Sequence, residues 1–225
     1  MDLAKPCIDI GLFTNQREEM LDFWQNEVGL AFDHVGKLGG GIQQHRHHLN
    51  GSVLKLNHAR DPLPLVPASG YHELLIAREG LPKKRPLVDP DGNRVTLVPT
   101  DEEGVTGIVL KLGVRDPQAF HDFYGRVLDL TPDGGNSYRV GTSKIVFAHD
   151  PAAVFTGDWR ALGFRYFTVQ VFKADTEHAA ILARGGREGQ EPRTIGTTAR
   201  YSFVRDPDGN WIEISQRAEL TGNLS

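Results

Sequence analysis

The chain has 225 residues, enough for one large domain or two of roughly 100 to 120 residues each. A net charge of −4 and an isoelectric point near 6.1 leave no basic footprint of the kind that nucleic acid requires. The single cysteine, Cys7, excludes an intramolecular disulfide framework and any multi-cysteine metal site, and reads as a small residue beside a strand. No apolar run reaches the ~18 residues of a membrane span. The start MDLAKPCIDIG lacks the pattern of a secretory signal, so a cytoplasmic protein is expected.

In chain order, Ile8, Ile10 and Leu12 alternate as in a half-buried strand. Met20, Phe23, Trp24 and Val28 then recur at helical spacing. The stretch QQHRHHLNGSVLKLNH contains Asn50-Gly51, a strong hairpin signal whose loop length sets the register. A two-residue loop pairs Arg46 with Lys55 and turns Gln44, Arg46 and His48 to the face that carries Lys55. A three-residue loop closing in a glycine bulge pairs His45 with Lys55 and brings His45 and His47 to that face instead. We favour the second register, because it avoids placing two imidazoles against a helix, and a solvated histidine run is the plain alternative. NHARDPLPLVP (57–67) reads as a stiff connector, with Arg60 either holding an anion or paired with Asp61. A strand follows in YHELLIA (71–77), where Leu75 and Ala77 are assigned to the helix side and His72 to the other. The turn DPDGN (89–93) introduces a further alternating strand, and TDEEGVTG (100–107) reads as a linker.

The pattern then repeats. DIGLFTNQREEMLDFWQNEVGL (9–30) lies over VLKLGVRDPQAFHDFYGRVLDL (109–130), with Asp116-Pro117 as a helix start. SVLKLNH (52–58) matches SKIVFAH (143–149), and YHELLIA matches RYFTVQV (165–171). A helix is predicted from Asp175 to Arg184, and GGREGQEPR (185–193) reads as a flexible polar loop. DPDGN returns at 206–210 before an alternating strand. Two homologous halves are therefore expected, residues 1–100 with a trimmed second unit and residues 107–217.

These motifs, above all DFWQNEVGL and DFYGRVLDL after a first strand and VDPDGN and RDPDGN before a last one, resemble the vicinal oxygen chelate superfamily of glyoxalase I, bleomycin-resistance proteins and extradiol dioxygenases. The resemblance implies an α+β fold of tandem βαβββ modules forming two curved mixed-sheet domains with helices outside, each around a cavity. It also implies a small-molecule partner, a homodimer, and in the metal enzymes a divalent ion such as Fe, Mn, Zn or Ni held at the first and last strands of the modules.

Strand parity puts Asp9, Lys55, Asn57 and His72 at the cavity places of the first half, and Val109, Val146, Tyr166 and Glu213 at those of the second. Two readings of the first set stay open. Asp9 and His72 could ligate a metal, with His45, His47 or Glu213 as further candidates. Alternatively, His72, Asp9 and Lys55 could form a metal-free acid–base set. Asn57, Arg60, Tyr166 and Trp211 are candidate substrate contacts, and Trp24 and Trp159 are expected in the core. The expected function is a lyase or isomerase for a small oxygenated, possibly aromatic compound. A non-catalytic drug-binding protein is the first alternative and a ring-cleaving dioxygenase the second.

Overall fold

The computed structural model describes residues 1–224. Four modules follow one another. The first comprises strand β1 (Leu3–Thr14), helix α1 (Arg17–Asp22), and strands β2 (Phe32–Gly39), β3 (Ile42–Leu49) and β4 (Ser52–Ala59). The second is trimmed to β5 (Tyr71–Arg78), β6 (Arg85–Val88) and β7 (Arg94–Pro99). The third has β8 (Ile108–Val114), α2 (Pro117–His121), β9 (Thr131–Pro132), β10 (Ser137–Val140) and β11 (Ser143–His149). The last has β12 (Gly163–Val171), α3 (Ala174–Ala183), β13 (Arg187–Ile195), β14 (Ala199–Arg205) and β15 (Trp211–Arg217), followed by the short helix α4 (Ala218–Thr221).

Both first helices widen into a π turn, Phe23–Glu27 after α1 and Asp122–Val127 after α2, at the same place in the repeat. Asp116 caps α2 by accepting from the backbone N–H groups of Gln118 and Ala119 at 2.9 and 3.2 Å. The two DPDGN turns are built alike. Asp89 accepts from Asn93 N and Nδ2 at 2.8 and 2.7 Å, and Asp206 from Asn210 N and Nδ2 at 2.8 Å each. Burial pushes the Asp89 carboxyl up to about 6 and that of Asp206 up to about 7, against these hydrogen bonds.

The sheets combine the modules crosswise. An eight-stranded sheet runs β13-β14-β15-β12-β1-β4-β3-β2, and a seven-stranded sheet runs β6-β7-β5-β8-β11-β10-β9. The first and last modules thus share one sheet through antiparallel β1 and β12, and the middle two share the other through antiparallel β5 and β8. Residues 1–100 and 107–217 do not each own a sheet, although each carries two modules. The helix-side faces of both sheets close on one apolar core, to which Ile10, Trp24, Leu54, Ile76, Leu110, Phe120 and Phe167 contribute.

Three expectations are corrected here. In β5, Leu74 and Ile76 join the helix-side core, while Leu75 and Ala77 face the hollow of the seven-stranded sheet with Val98, Val105 and Val109. LLIA (74–77) is apolar on both faces, so alternation within it carries no parity, and only Glu73 marks the side opposite the helices. The hairpin takes the two-residue loop, with Asn50 and Gly51 both at positive φ (50° and 84°) and Arg46 opposite Lys55. Residues 187–195 form an edge strand rather than a loop. Irregular register between Glu188 and Arg193, with Pro192 inside it, erases the period of two there.

Candidate functional site

The concave face of the eight-stranded sheet is polar where that of the seven-stranded sheet is filled by Leu75, Val98, Val109 and Val146. Register places the polar set. Asp9 on β1 lies opposite Thr168 on β12, and Thr168 lies beside Glu213 on β15. Lys55 on β4 is level with Gly11 on β1. The Lys55 ammonium donates to Thr168 Oγ1 at 2.7 Å and to Glu213 Oε2 at 2.5 Å, and the Thr168 hydroxyl donates to the same Glu213 oxygen at 2.5 Å. Burial pulls the Lys55 ammonium's pKa down, with Glu213 and Asp9 opposing.

Asp9 is fully buried beside this cluster but does not reach open space. Its oxygens accept from Lys5 Nζ (2.7 Å), Val53 N (2.9 Å) and Gln170 Nε2 (2.9 Å). Burial alone would raise its pKa; Lys55 and Lys5 outweigh that and hold the carboxyl below its ordinary value. Asn57 lies lower still, donating to Leu12 O (2.9 Å) and the Tyr166 hydroxyl (3.1 Å) and accepting from Gln44 Nε2 (2.9 Å). Tyr166 can cross the sheet only because residue 11 is glycine: a Cβ there would lie 2.1 Å from the ring.

Above this layer is a cavity of about 260 Å³. Lys55, Glu213 and Tyr166 form its floor, together with Gln44, Arg46, Ser215 and Arg217. Trp159, Tyr201 and Phe203 wall one side, with the Trp159 and Phe203 rings 4.9 Å apart. Trp211 packs 5.6 Å behind Phe203 without lining the cavity.

The remaining candidates lie elsewhere. His72 sits on the seven-stranded sheet, half-exposed, with Nε2 3.7 Å from Asp150. His45 and His47 point away from the cavity; His47 Nε2 is 3.1 Å from Gln25 Nε2, and burial pulls its pKa down to about 4. Arg60 is an exposed partner of Asp61 at 3.0 Å. Thr96, the counterpart of Glu213, donates to Glu73 at 2.6 Å in the second sheet. Alternation alone could not find Trp159, which comes from a loop. Arg217 stands two positions beyond Ser215 on the parity of Glu213, a signal the sequence does carry.

Residues 107–214 match the family model "Glyoxalase/Bleomycin resistance protein/Dioxygenase superfamily". Glyoxalase I from Zea mays shares the fold over 96% of this chain and 96% of its own, with a TM-score of 0.72 at 12% identity. A provisionally assigned dioxygenase from Bacillus subtilis subsp. subtilis str. 168 does so over 96% and 86%, with a TM-score of 0.69 at 13% identity. No curated protein matches the sequence. Residues 107–214 thus belong to the glyoxalase/dioxygenase superfamily, and the chain as a whole has the α+β fold of two curved mixed sheets that glyoxalase I shows.

The superfamily implies a divalent metal, and the donor set here does not fit one. Among the described residues no three His, Cys, Asp or Glu side chains converge. Thr168 Oγ1 and Glu213 Oε2 already hold the ammonium of Lys55, and the oxygens of Asp9 are taken by Lys5, Gln170 and a backbone N–H. A divalent ion at that point would meet a fixed positive charge in a buried site.

Proposed function

We propose that the cavity on the eight-stranded sheet is the active site of a metal-independent lyase or isomerase acting on a small oxygenated, possibly aromatic compound. One observation carries this reading: a buried ammonium and a carboxylate 2.5 Å apart form part of the floor of a cavity big enough for a small ligand. Glu213 takes a proton from the carbon beside a carbonyl. The third N–H of Lys55, which neither Thr168 nor Glu213 uses, donates to the oxygen on which negative charge develops. Where that carbon bears a hydroxyl, return of the proton to the former carbonyl carbon, with the hydroxyl proton passing to the oxygen held by Lys55, completes an isomerisation. Where the carbon on its far side, β to the carbonyl, bears a leaving group, departure of that group with the electron pair completes an elimination. Thr168 holds the Glu213 carboxylate in place at 2.5 Å.

Deuterium exchange tests this reading. The methylene protons of 2-hydroxyacetophenone in D2O are expected to exchange in the presence of the protein and not with Glu213→Gln. The second reading, a sequestering protein, draws support from the aromatic wall of Trp159, Tyr201 and Phe203. It predicts that the ketone binds without any exchange above the buffer rate.

A further inference from the structure

Two strands of the cavity floor run parallel and change character in the same direction. On β3 the alternate residues facing the cavity are Ile42, Gln44 and Arg46; on β15 Trp211, screened from the cavity by Phe203, is followed on the same face by Glu213, Ser215 and Arg217, which line it. Each therefore passes from apolar to cationic. At the apolar end, Trp159, Tyr166 and Phe203 form a set of rings with centroids 4.9 to 6.1 Å apart.

The cationic end is only partly neutralised. Arg46 is 4% exposed, its Nη1 donates to Gln44 Oε1 at 3.1 Å, and its buried Nε has no hydrogen-bond partner. The nearest carboxylate oxygen, on Asp33, is 3.9 Å from that nitrogen, too far to accept from it. Arg217 stands close enough to help pull the Arg46 pKa down, after burial, and spends its own Nε on Glu219 at 2.7 Å. The cavity lining includes five cationic side chains, Lys37, Arg46, Lys55, Arg160 and Arg217, against the single carboxylate of Glu213, which Lys55 already neutralises. A buried guanidinium with an unpartnered Nε, beside a second whose Nε alone is held by a carboxylate, is matched by a planar anion with two acceptor oxygens.

We propose that this cavity takes a small aromatic carboxylate, its ring against Trp159, Tyr166 and Phe203 and its carboxylate on Arg46 and Arg217. A cavity of about 260 Å³ holds a single ring with a short substituent. The inference rests on reading this cavity as the ligand site, not on the acid–base chemistry proposed for it.

Benzoate, its neutral isostere benzamide, and acetate separate the contributions in calorimetric titrations at one ionic strength. Benzoate is expected to bind at least tenfold more tightly than either of the others. Arg46→Gln and Arg217→Gln should each weaken benzoate at least tenfold and leave benzamide unchanged. Arg217 is partly exposed, so its variant decides the matter even where Arg46→Gln fails to fold. Equal affinity for benzamide and benzoate overturns the anion subsite and leaves the cavity as a neutral-ligand site. Equal affinity for acetate overturns the aromatic part, and no binding of any probe overturns the whole. Benzoate selectivity without any exchange of the hydroxyketone removes the acid–base reading alone.

Discussion

Lys55 and Glu213 are 158 positions apart in sequence, yet the ammonium of one donates to the carboxylate of the other at 2.5 Å. The contact exists because β4 of the first module and β15 of the last lie in one sheet, separated only by β1 and β12. It joins the two ends of the chain at the floor of the cavity.

Removing the ammonium should therefore be severe. In Lys55→Met, Glu213 loses the one cationic side chain paired with it among the described residues, and Asp9 keeps Lys5. Stranding a buried charge in this way costs about 3–5 kcal/mol. Urea unfolding near neutral pH is expected to show that loss, and Lys55→Met/Glu213→Leu to recover most of it because no carboxylate is stranded beside the methionine. A single variant as stable as the wild type would mean that the pair contributes nothing to folding.

Gly11 and Tyr166 supply a second test. A methyl at residue 11 would lie within 2.1 to 2.5 Å of three ring carbons, so Gly11→Ala must expel the ring or bend β1. Overpacking of this kind costs about 1–3 kcal/mol. Tyr166→Ala costs about 3–5 kcal/mol by removing a buried aromatic. The double variant should be no less stable than Tyr166→Ala alone, since the added methyl then enters the vacated space. Full additivity in a thermal or urea series would show that the two residues do not compete for one volume.

Much of the site was legible because β1, β4, β12 and β15 each bury one face fully and leave the other polar. Parity puts Asp9 and Lys55 opposite Ile10 and Leu54 in one half and Glu213 opposite Ile212 in the other. Thr168, on the parity of Tyr166, is not singled out, and only the pairing of β1 with β12 brings the four onto one face. Which modules pair was not legible, because β1 presents the same apolar stripe to β12 as it would to β5. That ambiguity put His72 in the wrong company. The hairpin register turned on the backbone of Asn50. It adopts positive φ at the cost of some strain and recovers part of it by donating its side-chain amide to Ala77 O at 2.8 Å across the sheets. Arg46 reached the cavity through that loop choice, at the expense of His45 and His47.

His72 allows the sequence-based and structural assignments to be separated. Its ring is half-exposed on the other sheet and its nearest charged partner is Asp150 at 3.7 Å. His72→Ala should change stability by no more than about 0.5 kcal/mol, as surface substitutions usually do. Benzoate affinity and hydroxyketone exchange should stay within twofold of wild type, whereas Glu213→Gln abolishes exchange. Loss of exchange in a folded His72→Ala would return the catalytic centre to the seven-stranded sheet.

The pH dependence of stability should carry the signature of His47. Its side chain is fully buried, with Nδ1 unpartnered, and burial together with the neighbouring His45 lowers its pKa from the ordinary 6.5 to about 4. Above the unfolded value both states are neutral and the stabilising contribution is complete. As pH falls from 6.5 towards 4, the unfolded chain accepts a proton that the folded ring refuses, and stability is lost through that window. The loss attributable to this ring between about pH 7.5 and 4.5 is on the order of 2 kcal/mol. His47→Leu keeps an apolar side chain of similar size in the site and removes the titration. Wild type should therefore lose about 2 kcal/mol more than the variant over that interval in paired urea melts, the other titrating groups cancelling in the difference. Parallel pH profiles for the two proteins would mean that His47 becomes protonated in the folded state as readily as in the unfolded chain.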